Sequence, residues 1–170
     1  MIRCNWANNN LLLSNYHDNE WGIPLYDDQL LFESLTLELF QSGLSWLTIL
    51  QKRDHFRKAF DYFNIDSISN YDQIDVDRLL SNSNVVRHRL KIESTINNAQ
   101  KTILIQNEYG SFNNYLWSSF HNDSILYDSI ILSEDLLKRG FRFLGQITCH
   151  SFMQSVGLIN GHSNDCYLFD

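Results

Sequence analysis

A chain of 170 residues with a net charge of −7, 14% aromatic residues and one proline is a single domain of common size. Such a chain can bury about 70% of its unfolded surface, so it needs no metal merely to have a core. No signal-peptide pattern at Met1, no apolar run near eighteen residues and an odd cysteine count argue against a secreted disulfide framework or a membrane span. The expectation is a cytoplasmic protein whose residues 1–170 form one domain.

The chain opens with Cys4 and His17 in one segment, and His162 and Cys166 stand four apart near its other end. Two thiolates and two imidazoles are the ligands of a tetrahedral structural zinc, which would clip the two segments together. Such a site could offset the entropy of closing so long a loop. The same residues also read as ordinary buried thiols and satisfied histidines, and Cys149 reads as core. Asp27 and Asp28 cap a helix through LLFESLTLELF, with Leu31, Leu35 and Leu39 as a buried stripe. Glu38 lies in that stretch, either on its solvent side or buried for a purpose. Gly43 breaks the helix. Ser45 caps the next, which carries Trp46, Ile49, Leu50, Phe56, Phe60 and Phe63 at helical intervals.

A short helix is expected over Asp75 to Ser81, then a polar turn at Asn82-Ser83-Asn84. A long helix follows with Ile92, Ile96, Ala99 and Ile103 on one face. Short helices or loops are expected from Ser111 to Tyr127. SEDLLKRG reads as a small helix capped by Ser133 and stopped at Gly140, and the last helix presents Cys149, Phe152, Met153, Val156 and Ile159. No convincing strand alternation appears, so the fold class is all-α.

Negative net charge speaks against nucleic acid as a partner. Ten of the thirteen basic residues nevertheless fall in three clusters: Lys52, Arg53, Arg57 and Lys58; Arg87, Arg89 and Lys91; Lys138, Arg139 and Arg142. Solvated helix faces explain those clusters equally well. Tyr16 and Trp46, with Glu38, could line a pocket that stacks a flat ring and accepts its hydrogen bonds, or could simply be core.

The strings YHDNEWG, QSGLSW, VVRHRLKI, RGFRFLG and SFMQSVGLINGH, with the Cys4, His17, His162 and Cys166 quartet, resemble the 3-methyladenine DNA glycosylase I family over nearly the whole chain. The resemblance implies a compact all-α, helix-hairpin-helix glycosylase whose N- and C-terminal segments are joined by one structural zinc on that quartet. It places Glu38, Tyr16 and Trp46 in a base pocket, Glu38 as the catalytic-site carboxylate. It places Asn84, Arg87, Arg89 and Lys91 on or beside a DNA-binding hairpin. The implied partner is double-stranded DNA containing alkylated adenine, and the implied working form is a monomer. The family lacks the catalytic aspartate of its superfamily relatives, so no general base is named. Leu13 stands where the family can show a second tyrosine, and Asn84 where a hairpin glycine is common. The alternatives are a non-catalytic, zinc-stapled DNA-binding module and a glycosylase for another modified base.

Overall fold

The structure is a computed structural model that describes residues 1–120 and 125–169. Every regular element among the described residues is helical, as the absence of strand alternation implied. A 3-10 turn at Asn5–Ala7 precedes α1 (Leu11–Asn19), which starts where the Asn10 side chain accepts the amides of Leu12 and Leu13. Asp27 then caps α2 (Asp28–Gln41), and Ser45 accepts the Thr48 amide to cap α3 (Trp46–Ala59). Both caps are the ones the sequence designates.

The middle of the chain adds α4 (Ile65–Ser69), α5 (Gln73–Ser81) and α6 (Arg89–Tyr109). After these come α7 (Phe112–Ser119), α8 (Ile125–Lys138) and α9 (Gln146–Ser155). The expectation of short helices or loops up to Tyr127 thus meets α7 and the start of α8, while residues 121–124 lie outside the described residues.

Helix α2 is the organising element because it is apolar nearly all round. Leu31, Phe32, Leu35, Leu37, Leu39 and Phe40 are buried, and the helix packs against α3, α6, α7 and α9. A helix buried on every side cannot discard a charged residue to solvent, so its Glu33 and Glu38 are also buried. The solvent-side reading of Glu38 is therefore excluded.

Two local expectations are corrected. The helix through Phe63 stops at Ala59. Asp61, Tyr62 and Phe63 then take positive φ values of 48°, 53° and 60°, and the chain turns sharply so that Phe63 stacks on Phe60 at 5.8 Å. Burial of the Phe40, Phe56, Phe60 and Phe63 rings favours that turn over continued helix. Ser133 does not begin a helix. It lies buried inside α8, where its hydroxyl donates to the Leu144 carbonyl at 2.8 Å and ties α8 to the segment before α9. Gly140 does take the left-handed stop position, at φ 88°.

Candidate functional site and metal centre

Helix α1 brings His17 to Cys4, and the segment after α9 brings His162 and Cys166 to the same point. The four ligand atoms all lie within 4.8 Å of one another. Cys166 Sγ is 3.4 Å from His17 Nε2 and 3.5 Å from His162 Nδ1, and Cys4 Sγ is 3.7 Å from His162 Nδ1. Tetrahedral bonds of ~2.3 Å to sulfur and ~2.0 Å to nitrogen would set sulfur and nitrogen about 3.5 Å apart, so the donor set fits a four-coordinate soft or borderline cation. No fourth position is left for water.

The surroundings orient these ligands. His17 Nδ1 lies 2.9 Å from Asp18 Oδ1, an arrangement that leaves Nε2 facing the sulfurs. Arg3 grips the Asp18 carboxylate at 2.7 Å and 2.8 Å and holds it well below the usual carboxylate range. The amides of Ser163 and Leu168 point at Cys4 and Cys166 sulfur, and the Tyr167 amide donates to Ile2 O. Gly22, at φ 81°, is required here: a Cβ on it would lie 2.8 Å from His162 Nε2.

A cavity of about 390 Å³ opens beside this cluster, lined by Trp6, Leu13, Tyr16, Trp21, Glu38 and Trp46 among others. Tyr16 and Trp46 have ring centroids 5.4 Å apart at 50°. A flat ring sandwiched between two others needs about 7 Å of separation, so this pair forms an aromatic corner rather than two jaws. Trp6 and Trp21 contact each other edge-on at 5.0 Å, and Trp21 rests on the His162 ring at 4.7 Å. The ligand cluster thus buttresses the cavity wall directly. Sequence reasoning missed both tryptophans as wall residues, although Trp21 lies inside YHDNEWG and Trp6 follows Cys4 by two.

Glu38 has no hydrogen bond among the described residues, and burial pushes its carboxyl up from 4.5 to about 8. Burial first, then the Glu38 charge, raises the Tyr16 phenol, which therefore remains a neutral hydroxyl. Trp46 Nε1 is buried without a hydrogen-bond partner. A second cavity of about 620 Å³ shares Glu38, Gln41 and Ser151 with the first and runs along Ser42, Gly43 and Leu44 to the start of α9.

Residues 6–169 match the family model described as methyladenine glycosylase. The chain belongs to the methyladenine glycosylase family. It is 39% identical over 177 residues to the DNA-3-methyladenine glycosylase of Haemophilus influenzae, covering 96% of each chain. A crystal structure of 3-methyladenine DNA glycosylase I superposes with a TM-score of 0.91 at 38% identity, covering 99% of this chain and 100% of that one. A Tyr-to-Phe variant of such an enzyme, in complex with 3-methyladenine, superposes with a TM-score of 0.89 at 36% identity, covering 98% and 97% of the two chains.

For a methyladenine glycosylase, the three basic clusters are largely committed to the protein itself. Arg53 pairs with Glu20, Arg57 with Glu33, Arg89 with Asp77 and Glu93, and Arg139 with Glu108 and Asp135. Lys52 donates to the Ser83 and Asn84 carbonyls. Lys91, expected on the DNA-facing surface, is instead 6% exposed, and its ammonium donates to Phe40 O and Ser42 O. Its position on the inward side of the first turn of α6 is the reason. Arg87 and Arg142 are exposed and have no ion pair among the described residues. The His88 ring, next to Arg87 in sequence, meets that of Phe143, next to Arg142, at 6.3 Å.

Among the described residues no helix is long and apolar enough to cross a membrane.

Proposed function

We propose that this chain is a DNA-3-methyladenine glycosylase: it extrudes an alkylated adenine from duplex DNA, breaks its bond to deoxyribose and releases the free base. The observation that carries the reading is a family member's cavity in which Tyr16, Trp46 and an unpartnered, buried Glu38 converge. The bound 3-methyladenine of a relative agrees with it.

Chemistry follows from the residues. A base inside a duplex is inaccessible, so it must leave the stack at a cost of a few kcal/mol. Stacking on the Tyr16–Trp46 corner offsets about 1–3 kcal/mol of that. N3-methylation leaves the base cationic, so the C1′–N9 electron pair departs onto an already electron-poor ring. Water then forms the C1′–O bond and gives its proton to solvent. With Glu38 pushed up to about 8 by burial, its carboxyl is neutral at pH 7. Ionising it costs about 1.4 kcal/mol per pH unit, which a cationic guest offsets and neutral adenine does not. Selection thus resides in the guest's charge and hydrogen bonds, with Glu38 as acceptor.

One structural zinc on Cys4, His17, His162 and Cys166 fits the donor set and would hold the cavity wall through Trp21 and His162. The helix-hairpin-helix element corresponds to α5, the Asn82–His88 turn and α6. Asn84, Arg87 and Arg89 would meet DNA phosphates there, with amides at the start of α6. The working form proposed is a cytoplasmic monomer of one domain, residues 1–170.

The test is to incubate the protein with methylated duplex DNA and identify the free bases by chromatography, with Glu38→Gln in parallel. Release of 3-methyladenine, lowered in the variant, supports the reading. No free base from folded, zinc-loaded protein makes the chain a DNA-binding module, and release of a different base makes it a glycosylase of other specificity.

A further inference from the structure

The buried ammonium of Lys91 joins the two halves of the proposed reaction, the grip on DNA and the cavity for the base. From the first turn of α6 its Nζ reaches the end of α2, donating to Ser42 O at 2.6 Å and Phe40 O at 3.0 Å. Those carbonyls stand where α2 stops, and the last carbonyls of a helix have no intrahelical partner. A cation there also meets the negative end of the helix dipole.

The placement is consequential because of what lies on either side. Glu38 stands two residues before Phe40 and four before Ser42. Gly43 at φ 84° and the exposed Leu44 follow, and Ser45 then caps the helix that begins with Trp46. One side chain therefore ties the first turn of α6 to the exit of the helix that carries Glu38, three residues before Ser45 caps the helix that carries Trp46. Lys52 makes the reverse connection, from α3 to the carbonyls of Ser83 and Asn84 in the hairpin segment. The cavity helices and the hairpin are tied twice, each by a lysine that reaches the other's backbone.

Lys91 caps the carbonyls at the end of α2, and that cap has a cost. Burial lowers its pKa, and burying an ammonium costs desolvation that an apolar side chain of similar length avoids. Besides that cap it supplies a direct tie between the first turn of α6 and the end of α2.

We propose that Lys91 is a positioning residue for base excision: it holds the Phe40–Ser42 end of α2 in register with the hairpin, so that DNA gripped there delivers its extruded base to Glu38. The proposal rests on the glycosylase reading above and adds the element that couples its two sites.

The experiment compares wild type, Lys91→Met and Lys91→Arg in the full chain by two readouts. One is calorimetric binding of free 3-methyladenine, which needs the cavity alone. The other is single-turnover release of 3-methyladenine from methylated duplex, which needs the coupling. Lys91→Met is expected to bind the free base as wild type does, yet to excise about a hundredfold more slowly, the scale of a misplacement near 1 Å. Lys91→Arg, whose guanidinium still reaches the carbonyls, is expected to recover part of the rate. Unchanged excision by Lys91→Met overturns the proposal, and so does a parallel fall in free-base affinity and rate. If Lys91→Met does not fold, Lys91→Arg decides by the same rule: slower excision with unchanged free-base affinity supports the coupling, and any other pattern overturns it. Wild-type protein that binds the free base but releases none from DNA overturns the glycosylase reading, and the coupling with it.

Discussion

In the Cys4, His17, His162 and Cys166 cluster every ligand atom has a protein neighbour, and Asp18, Arg3 and the Ser163 and Leu168 amides hold the second tier. Across the wall of Trp6 and Trp21, the cavity leaves the Glu38 carboxyl and Trp46 Nε1 without hydrogen bonds among the described residues. A structural centre gains by saturating its own donors and acceptors. A recognition site gains by keeping some unused, at a cost in stability that its guest can recover.

The largest effect should come from breaking the saturated side. Cys166→Ala, or chelation of the wild type, is expected to remove about one zinc per chain and lower the melting temperature by about 10–20 °C, equivalent to about 5 kcal/mol at this size. Metal analysis with a thermal melt checks this; a folded, metal-free wild type of unchanged melting temperature refutes it.

The unsaturated side should behave oppositely. Glu38 binds its proton more tightly folded than unfolded. The stability this contributes is complete below about 4.5 and is lost as pH rises through about 8. Urea unfolding of wild type and Glu38→Gln at pH 5 and pH 8.5 should therefore show the variant gaining relative to wild type at the higher pH, by a few kcal/mol, since each pH unit crossed in that window removes about 1.4 kcal/mol. Equal pH dependence of the two proteins would show that Glu38 is not desolvated.

The smallest effect sharpens the same contrast at the proposed DNA surface. Arg87 has no ion pair among the described residues, whereas Arg89 is shared between Asp77 and Glu93. Arg87→Ala should lower the slope of log affinity against log salt by about 1, and Arg89→Ala by less. Titration of a methylated duplex at several salt concentrations distinguishes them.

How much was legible followed the range of the interaction. Ser45 and Asp27 act within their own first turns, and both caps could be read directly. The Cys/His quartet was legible because its chemistry is rare, and its convergence agrees with the two-segment clip. Ser133, Phe63 and Lys91 were misread for one reason. Their partners are Leu144, Phe60 across a left-handed turn, and Phe40 with Ser42, and no helical period encodes such contacts. Glu38 lay between two readings until the helices packed around α2 showed that it had no solvent side. Trp6 and Trp21 were visible as residues, but their joint role needed the geometry that sets them against the histidine rings.

That geometry has an optical consequence. The chain has four tryptophans, and Trp6, Trp21 and Trp46 all border the one cavity, while Trp117 is held elsewhere with its indole N–H on the Leu25 carbonyl. Indole emission responds to the polarity and stacking of its surroundings. Three of the four tryptophans therefore stand at the cavity wall, and a ring entering the corner of Tyr16 and Trp46 is expected to change the intrinsic fluorescence without any added dye.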